Sequence, residues 1–226
     1  MNIVITGAAQ GLGLEFVRHY LAQGHNVWAC YRSSAGGLQE IASDKLRTVQ
    51  WDVSEAKAEA FVSGDFPGNI DILINNAGIY GPKKDAGQSL DSVTDDAMLA
   101  TFDINCVGPL RVVQALYSRV VAAKGRIANV SSKMGSSDDN TSGGCYAYRA
   151  SKAALVIVSK SMAVDLEPQG VKVITLHPGW VRTNMTSHSG LIDTETSVKG
   201  MTTVIDSIEQ YPIGAFVAFD GKLIPY

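Results

Sequence analysis

Short apolar runs alternate with amphipathic helical stretches along the whole chain, and few folds accommodate that pattern. Seven runs read as strands: residues 2–6, 26–31, 48–51, 70–75, 126–131, 171–177 and 215–219. Between the first two, Phe16, Val17, Tyr20 and Leu21 recur at helical spacing until Gly24. Met98, Phe102, Asn105, Leu110, Val113, Leu116, Tyr117 and Val120 trace a long helix before the fifth strand, and a further helix over 148–166 stops before Pro168. Strands alternating with helices in this way build βαβ units. The run Ile70-Asp71-Ile72-Leu73-Ile74 is almost continuously apolar, as strands covered on both faces are. The expectation is an α/β fold, with a doubly wound, mostly parallel seven-stranded sheet flanked by helices on both faces. One domain should span residues 1–226, since no repeat, low-complexity tract or long linker divides it. The stretches 133–145 and 183–196 read as loops beyond the carboxyl ends of strands, the edge on which such sheets hold their ligands.

The 226 residues are 46% apolar and 18% charged, enough for a sizeable core. The 19 basic and 22 acidic side chains give a net charge of -3 without long runs of either sign. That argues against a nucleic-acid partner, which needs a basic stripe, and against a polybasic membrane patch. Cys30, Cys106 and Cys145 are far apart and form no CxxC pair, and His19, His25, His177 and His188 lack metal-ligand spacing. No metal is expected, and the thiols fit a reducing compartment. The chain opens directly on a strand pattern, and no stretch approaches the roughly 18 apolar residues of a membrane span. A soluble, cytoplasmic protein is the expectation.

After the first strand comes Thr6-Gly7-Ala8-Ala9-Gln10-Gly11-Leu12-Gly13, leading into the first helix. Small residues let the backbone turn sharply, and the helix N-terminus offers free N–H groups and partial positive charge to a pyrophosphate. Between the first strand and first helix, this turn points to a dinucleotide. The end of the second strand selects which one, because an acid there would bind a ribose 2′-hydroxyl. Here Tyr31 takes the place of the acid and Arg32 follows, able to meet a 2′-phosphate through a bidentate contact. NADP(H) is favoured and NAD(H) stays open.

Tyr148-Arg149-Ala150-Ser151-Lys152 sets a phenol and an ammonium four residues apart on one helix face. A nearby ammonium favours phenolate, bringing a pKa near 10 toward the range useful for acid–base chemistry. Tyr148 and Lys152 gain weight from Asn75-Asn76-Ala77-Gly78, Asn105, Asn129-Val130-Ser131-Ser132 and Pro178-Gly179-Trp180-Val181-Arg182-Thr183. With the turn at Gly7, these motifs in this order resemble the short-chain dehydrogenase/reductase family over essentially the whole chain. Asp138 to Gly144 and the ending Phe219 to Tyr226 are similar to its C-factor-like branch.

The resemblance implies a Rossmann-type fold and a role for each matching residue. Tyr148 would be the general acid in carbonyl reduction or the base in alcohol oxidation. Lys152 would hold the nicotinamide ribose hydroxyls and depress the Tyr148 pKa. Ser132 would hydrogen-bond the substrate oxygen, and Asn105 would anchor a water linking Lys152 to solvent. Gly7, Gln10, Gly11, Leu12 and Gly13 would line the pyrophosphate. Asp52 would contact adenine with the Val53 backbone beside it, and Asn76, Ala77 and Gly78 would pack along the adenine ribose. Pro178, Gly179, Val181 and Thr183 would hold the carboxamide. Ser131 and Tyr146 are set aside, the first as a strand-end residue and the second for lack of a matching lysine.

Gln10 stands where many NADP-preferring relatives carry a base, and the chain is short after Thr183, which suits an open site and varied carbonyl or alcohol substrates. The function expected is NADP(H)-dependent hydride transfer to or from such a small molecule. The alternative is a dinucleotide-binding signalling protein of the C-factor type with little turnover. Surplus apolar positions on the two long helices (Val112, Val113, Leu116 and Val120; Val156, Val158 and Met162), with the resemblance, suggest a homodimer or homotetramer.

Overall fold

The computed structural model describes residues 1–56, 61, 64–82 and 87–226. Its seven strands are β1 (Asn2–Ile5), β2 (Asn26–Tyr31), β3 (Leu46–Gln50), β4 (Ile72–Asn75), β5 (Arg126–Val130), β6 (Lys172–His177) and β7 (Phe216–Ala218). They form one sheet in the order β3-β2-β1-β4-β5-β6-β7, and every neighbouring pair is parallel. The fold is the doubly wound α/β sheet read from the pattern. Alternate residues of one strand serve opposite faces. Ile3 and Ile5 of β1, with Ile72 and Ile74 of β4, join the core beneath α1 (Gly11–Ala22). Val4 and Leu73 join the other, with residues of the helices on the opposite face. The strand order reverses between β1 and β4, so the crevice at their carboxyl ends is where ligands of such sheets bind.

Among the described residues, four more helices flank the sheet: α2 (Asp95–Phe102), α3 (Gly108–Ala123), α4 (Tyr146–Leu166) and α5 (Thr194–Asp206). The stretch expected as one long helix is α2 and α3 joined by a π-helical turn, Asp103–Val107. Pro109 explains the break, since it has no N–H to give the carbonyl of residue 105 and the α-helical ladder cannot run through. The turn carries Asn105, fully buried, into the centre of the molecule. Helix α4 begins two residues earlier than expected, behind Cys145 in a left-handed conformation at φ 52°. Helix α5 starts within a stretch expected to be a loop. Asp193 caps it by accepting from the Thr196 N–H at 2.8 Å, and Val198, Met201, Val204 and Ile205 face the core.

The apolar positions expected to be left over for a partner are largely consumed within the chain. Val112, Val113, Leu116 and Val120 of α3 and Val156 and Met162 of α4 are all buried, and Val158 packs partly against the same core. The outward apolar residues of α2, α3 and α4 are instead Leu99, Phe102, Tyr117, Tyr146, Ile157 and Val164. Among the described residues, no helix is long and apolar enough to cross a membrane.

Candidate active site

The Gly-rich turn and the Asn75–Gly78 segment meet at the crevice and are stitched together. The Thr6 hydroxyl oxygen accepts from the N–H groups of Asn76 and Ala77, both at 3.1 Å. Asn76 Nδ2 returns hydrogen bonds to the carbonyls of Thr6 and Gly7 at 3.0 and 3.1 Å. Gly13 explains why a glycine is needed at the end of the turn: a Cβ there would stand 2.2 Å from the Gly7 carbonyl oxygen. Leu12 packs against the core.

The N-terminus of α1 has no side-chain cap and no acid in its first turn, so its N–H groups and dipole remain for an anion. Gly11, at φ +54°, faces Thr183 across the crevice; a Cβ on it would come 3.6 Å from Thr183 Cγ2. Gln10 reaches the same wall, its Oε1 accepting from Asn184 Nδ2 at 3.3 Å. A phosphate cradle of this kind fits a dinucleotide. Further along, an open cavity of about 500 Å³ is lined by Arg32, Ser33, Gln50, Asp52 and Glu55. Gln50 fixes its rim by donating to the Arg32 carbonyl at 3.0 Å, and Tyr31 pairs through its carbonyl with the Trp51 N–H. Asp52 holds a turn, accepting from the N–H and hydroxyl of Ser54. The Val53 side chain is buried, and its carbonyl accepts from Arg111 at 3.3 Å.

The opposite wall follows β6. The Pro178 carbonyl accepts from the Ser197 hydroxyl at 2.6 Å, and Gly179 turns at φ +85°. Val181 pairs with Ile192 in an isolated bridge, while Thr183 and Thr186 close a reciprocal cap. The short segment after Thr183 is thereby tied down at both ends.

Tyr148, Lys152, Ser132 and Asn105 converge at the end of the crevice. The Ser132 hydroxyl faces the Tyr148 phenol and favours its ionised form, while it accepts from the Met134 N–H at 3.2 Å. Lys152 Nζ donates to the Val130 carbonyl at 2.9 Å and lies 5.9 Å from the centre of the Tyr148 ring. Ser131 anchors the helix behind them, its hydroxyl donating to the Lys152 carbonyl at 2.9 Å. Asn105 clasps residue 79, accepting from the Ile79 N–H and donating to the Ile79 carbonyl, both at 2.8 Å. It also donates to the Ser151 hydroxyl at 3.0 Å. Gly78 sits between Asn105 and Lys152, since a Cβ there would stand 3.1 Å from Asn105 Oδ1 and 3.4 Å from Lys152 Nζ.

The electrostatics depart from expectation in one respect. The Tyr148 hydroxyl is held above the ordinary phenol value because burial disfavours phenolate, and the Ser132 hydroxyl offsets this only in part. The expected depression by Lys152 does not prevail. That ammonium points to a carbonyl and is itself brought down to about 8 by burial. The labile proton near neutral pH therefore belongs to Lys152. Three contributors escaped the sequence reading. Ser151 lay inside the Tyr148–Lys152 motif and carried a signal, whereas Tyr80 and Cys145, which border Tyr148, carried none.

Comparison with known proteins agrees with this architecture. The family described as short chain dehydrogenase matches residues 1–191. The C-signal of Myxococcus xanthus is 42% identical over 168 residues, covering 74% of this chain and 99% of that protein. The structure of the carbonyl reductase Sniffer of D. melanogaster superposes with a TM-score of 0.90 at 30% identity, covering 100% of this chain and 99% of the other. The NADPH-bound carbonyl reductase from chicken fatty liver gives 0.88 at 29% identity, covering 100% and 98%. With the Gly-rich turn, the buried Asn105 and the Ser132–Tyr148–Lys152 cluster all on one edge of this sheet, the chain belongs to the short-chain dehydrogenase/reductase family of oxidoreductases.

Proposed function

We propose that the protein is an NADP(H)-dependent oxidoreductase acting on a small carbonyl/alcohol pair, with Tyr148 as general acid in reduction and general base in oxidation. The observation that carries this reading is the convergence of Ser132 and the Tyr148 phenol beside the buried Lys152, whose Nζ lies 5.9 Å from the centre of the Tyr148 ring. When bound, a nicotinamide cofactor supplies or accepts the hydride. The N-terminus of α1 from Gly11 to Gly13 would hold its pyrophosphate, Arg32 a 2′-phosphate, and Asp52 its adenine. The fat-liver reductase, of similar fold and NADPH-bound, supports that choice.

Ser132 donates to the substrate oxygen and steadies the charge that builds on it. The Tyr148 hydroxyl delivers the proton to the same oxygen. Burial favours its neutral form, which suits a donor. Lys152, poised near pH 8, can pass a replacement proton, while Asn105 and Ser151 fix the backbone around it. Tyr148→Phe should cut NADPH-dependent carbonyl reduction at least about 100-fold while NADPH affinity stays near wild type. Near-normal turnover in that variant would overturn the assignment.

The identity to C-signal favours a second reading, a nucleotide-binding signalling protein with little turnover. A wild-type protein that binds NADPH but reduces nothing in a panel of aldehydes, ketones and quinones would select it.

A further inference from the structure

We propose that Tyr80 is a positioning residue for Tyr148, its ring acting as the backstop that fixes the plane of the reacting phenol. The proposal rests on Tyr148 being the proton donor. The two rings lie 5.0 Å apart between centroids, with planes inclined at 37°, within the range of favourable aromatic pairs. The hydroxyl oxygen lies on the axis of the ring's final torsion, so that torsion, broad on its own, sets the plane of the ring and the direction in which the O–H points; a packed face limits it and the sideways swing of the ring together.

Tyr80 is itself held from several sides. Its hydroxyl and Cys145 Sγ share a hydrogen bond at 2.8 Å. Its carbonyl accepts from Gln88 Nε2 at 2.6 Å. Its neighbour Ile79 has both backbone groups taken by Asn105. Gln88 closes the frame, because its own carbonyl accepts from the N–H of Tyr146, two residues before Tyr148. Cys145, at φ 52°, is the residue from which α4 starts. The loop bearing Tyr80 and the helix bearing Tyr148 are thus joined at their side chains and through Gln88, and none of these bonds uses the Tyr148 hydroxyl, which is left facing Ser132.

The frame also governs the proton. Tyr80, Cys145, Ser132 and Lys152 are the polar or titratable groups around Tyr148. Burial is the larger influence on its hydroxyl, and the Tyr80 ring is part of what buries it. Removing that ring admits water and returns the hydroxyl toward an ordinary phenol.

The test measures NADPH-dependent reduction of a simple aldehyde across pH for Tyr80→Leu, Tyr80→Phe and Tyr80→Met, beside Tyr148→Phe. Because misplacing a reacting group by about 1 Å can cost about 100-fold, Tyr80→Leu should lower kcat about 10- to 100-fold. KM and NADPH affinity should hold within about twofold, and the fall in kcat that reports loss of the Tyr148 proton, on the alkaline side of the one set by Lys152, should move to lower pH. Tyr80→Phe, which keeps the ring, should recover kcat to within about threefold of wild type. If Tyr80→Leu does not fold, Tyr80→Met, which also removes the ring but fills the space with a flexible side chain, should lower kcat about three- to tenfold at constant KM. An unchanged kcat and an unmoved pH limb would overturn the proposal. So would a loss that phenylalanine fails to recover, or one matched by weaker NADPH binding. Turnover surviving in Tyr148→Phe would instead strike the functional reading itself, whereas a dead Tyr148→Phe beside a normal Tyr80→Leu would strike only this inference.

Discussion

Replacing Lys152 by methionine should abolish turnover and yet stabilise the fold. Lys152 is only 5% exposed, and burial brings its ammonium from the ordinary 10.5 down to about 8. At about 1.4 kcal/mol per pKa unit, holding the charged form in the folded protein costs about 3 kcal/mol at pH 7, where folded and unfolded chains are both protonated. Methionine fills the same space without charge, but it loses the charge-assisted hydrogen bond from Nζ to the Val130 carbonyl, worth about 2 kcal/mol. The expected net gain is about 1 kcal/mol, or about 2–4 °C in Tm for a chain of this size. The pH dependence supplies a second check. The folded protein releases the Lys152 proton near pH 8, whereas the unfolded chain keeps it to about 10.5. Between those values the unfolded state binds more protons, so wild-type stability climbs relative to the variant and the gap closes. Urea unfolding of both proteins at pH 7 and pH 10, compared pairwise so that other titrations cancel, reads both effects. A variant less stable than wild type at pH 7, or a gap that does not change with pH, would refute the reasoning.

Arg32→Ala should raise the NADPH dissociation constant about tenfold and leave that for NADH almost unchanged, as measured by fluorescence titration. The effect sits at the low end for a charge-assisted contact because Arg32 is exposed and shares its cavity with Asp52 and Glu55; equal losses for both cofactors would make Arg32 a surface cation only. A second copy of the chain should cover Leu99, Phe102, Ile157 and Val164, which face outward on α2 and α4. Sedimentation at micromolar concentration should show a dimer or tetramer that Ile157→Glu dissociates, and a wild-type protein that sediments only as monomer would contradict it.

The inner strands were legible because they are buried on both faces, and a run such as Ile72–Asn75 has to be apolar nearly throughout. Helix α5 was not legible, for a reason its hydrogen bonds make plain. Several of its inward positions are Ser or Thr, a composition that reads as loop, but their hydroxyls are satisfied locally. Ser197 donates to the Pro178 carbonyl and Thr202 to the Val198 carbonyl. The π-helical turn left one trace, Pro109, whose effect on the ladder depends on which residue stands four before it. The apolar positions of α3 and α4 were counted correctly but faced the wrong way, because helical spacing shows that a stripe exists and not what covers it.

The site divides along the same line, between what spacing decides and what packing decides. Tyr148 and Lys152 share a helix face by arithmetic, and the turn at Gly7 can meet Asn76 only if β1 and β4 are neighbours, which parallel α/β order provides. Protonation follows from neither. The same two side chains on an exposed helix would leave the phenol depressed by its ammonium, as the sequence reading assumed. Closed in by Tyr80, Cys145 and the end of β5, both lose water, and both shift toward their neutral forms: the phenol rises and the ammonium falls. A neutral phenol beside a lysine that titrates near pH 8 suits the proton donor proposed above. Burial thereby sets which of the two groups holds its proton at a given pH, and Tyr80 and Cys145, which no motif contains, share in it with the end of β5.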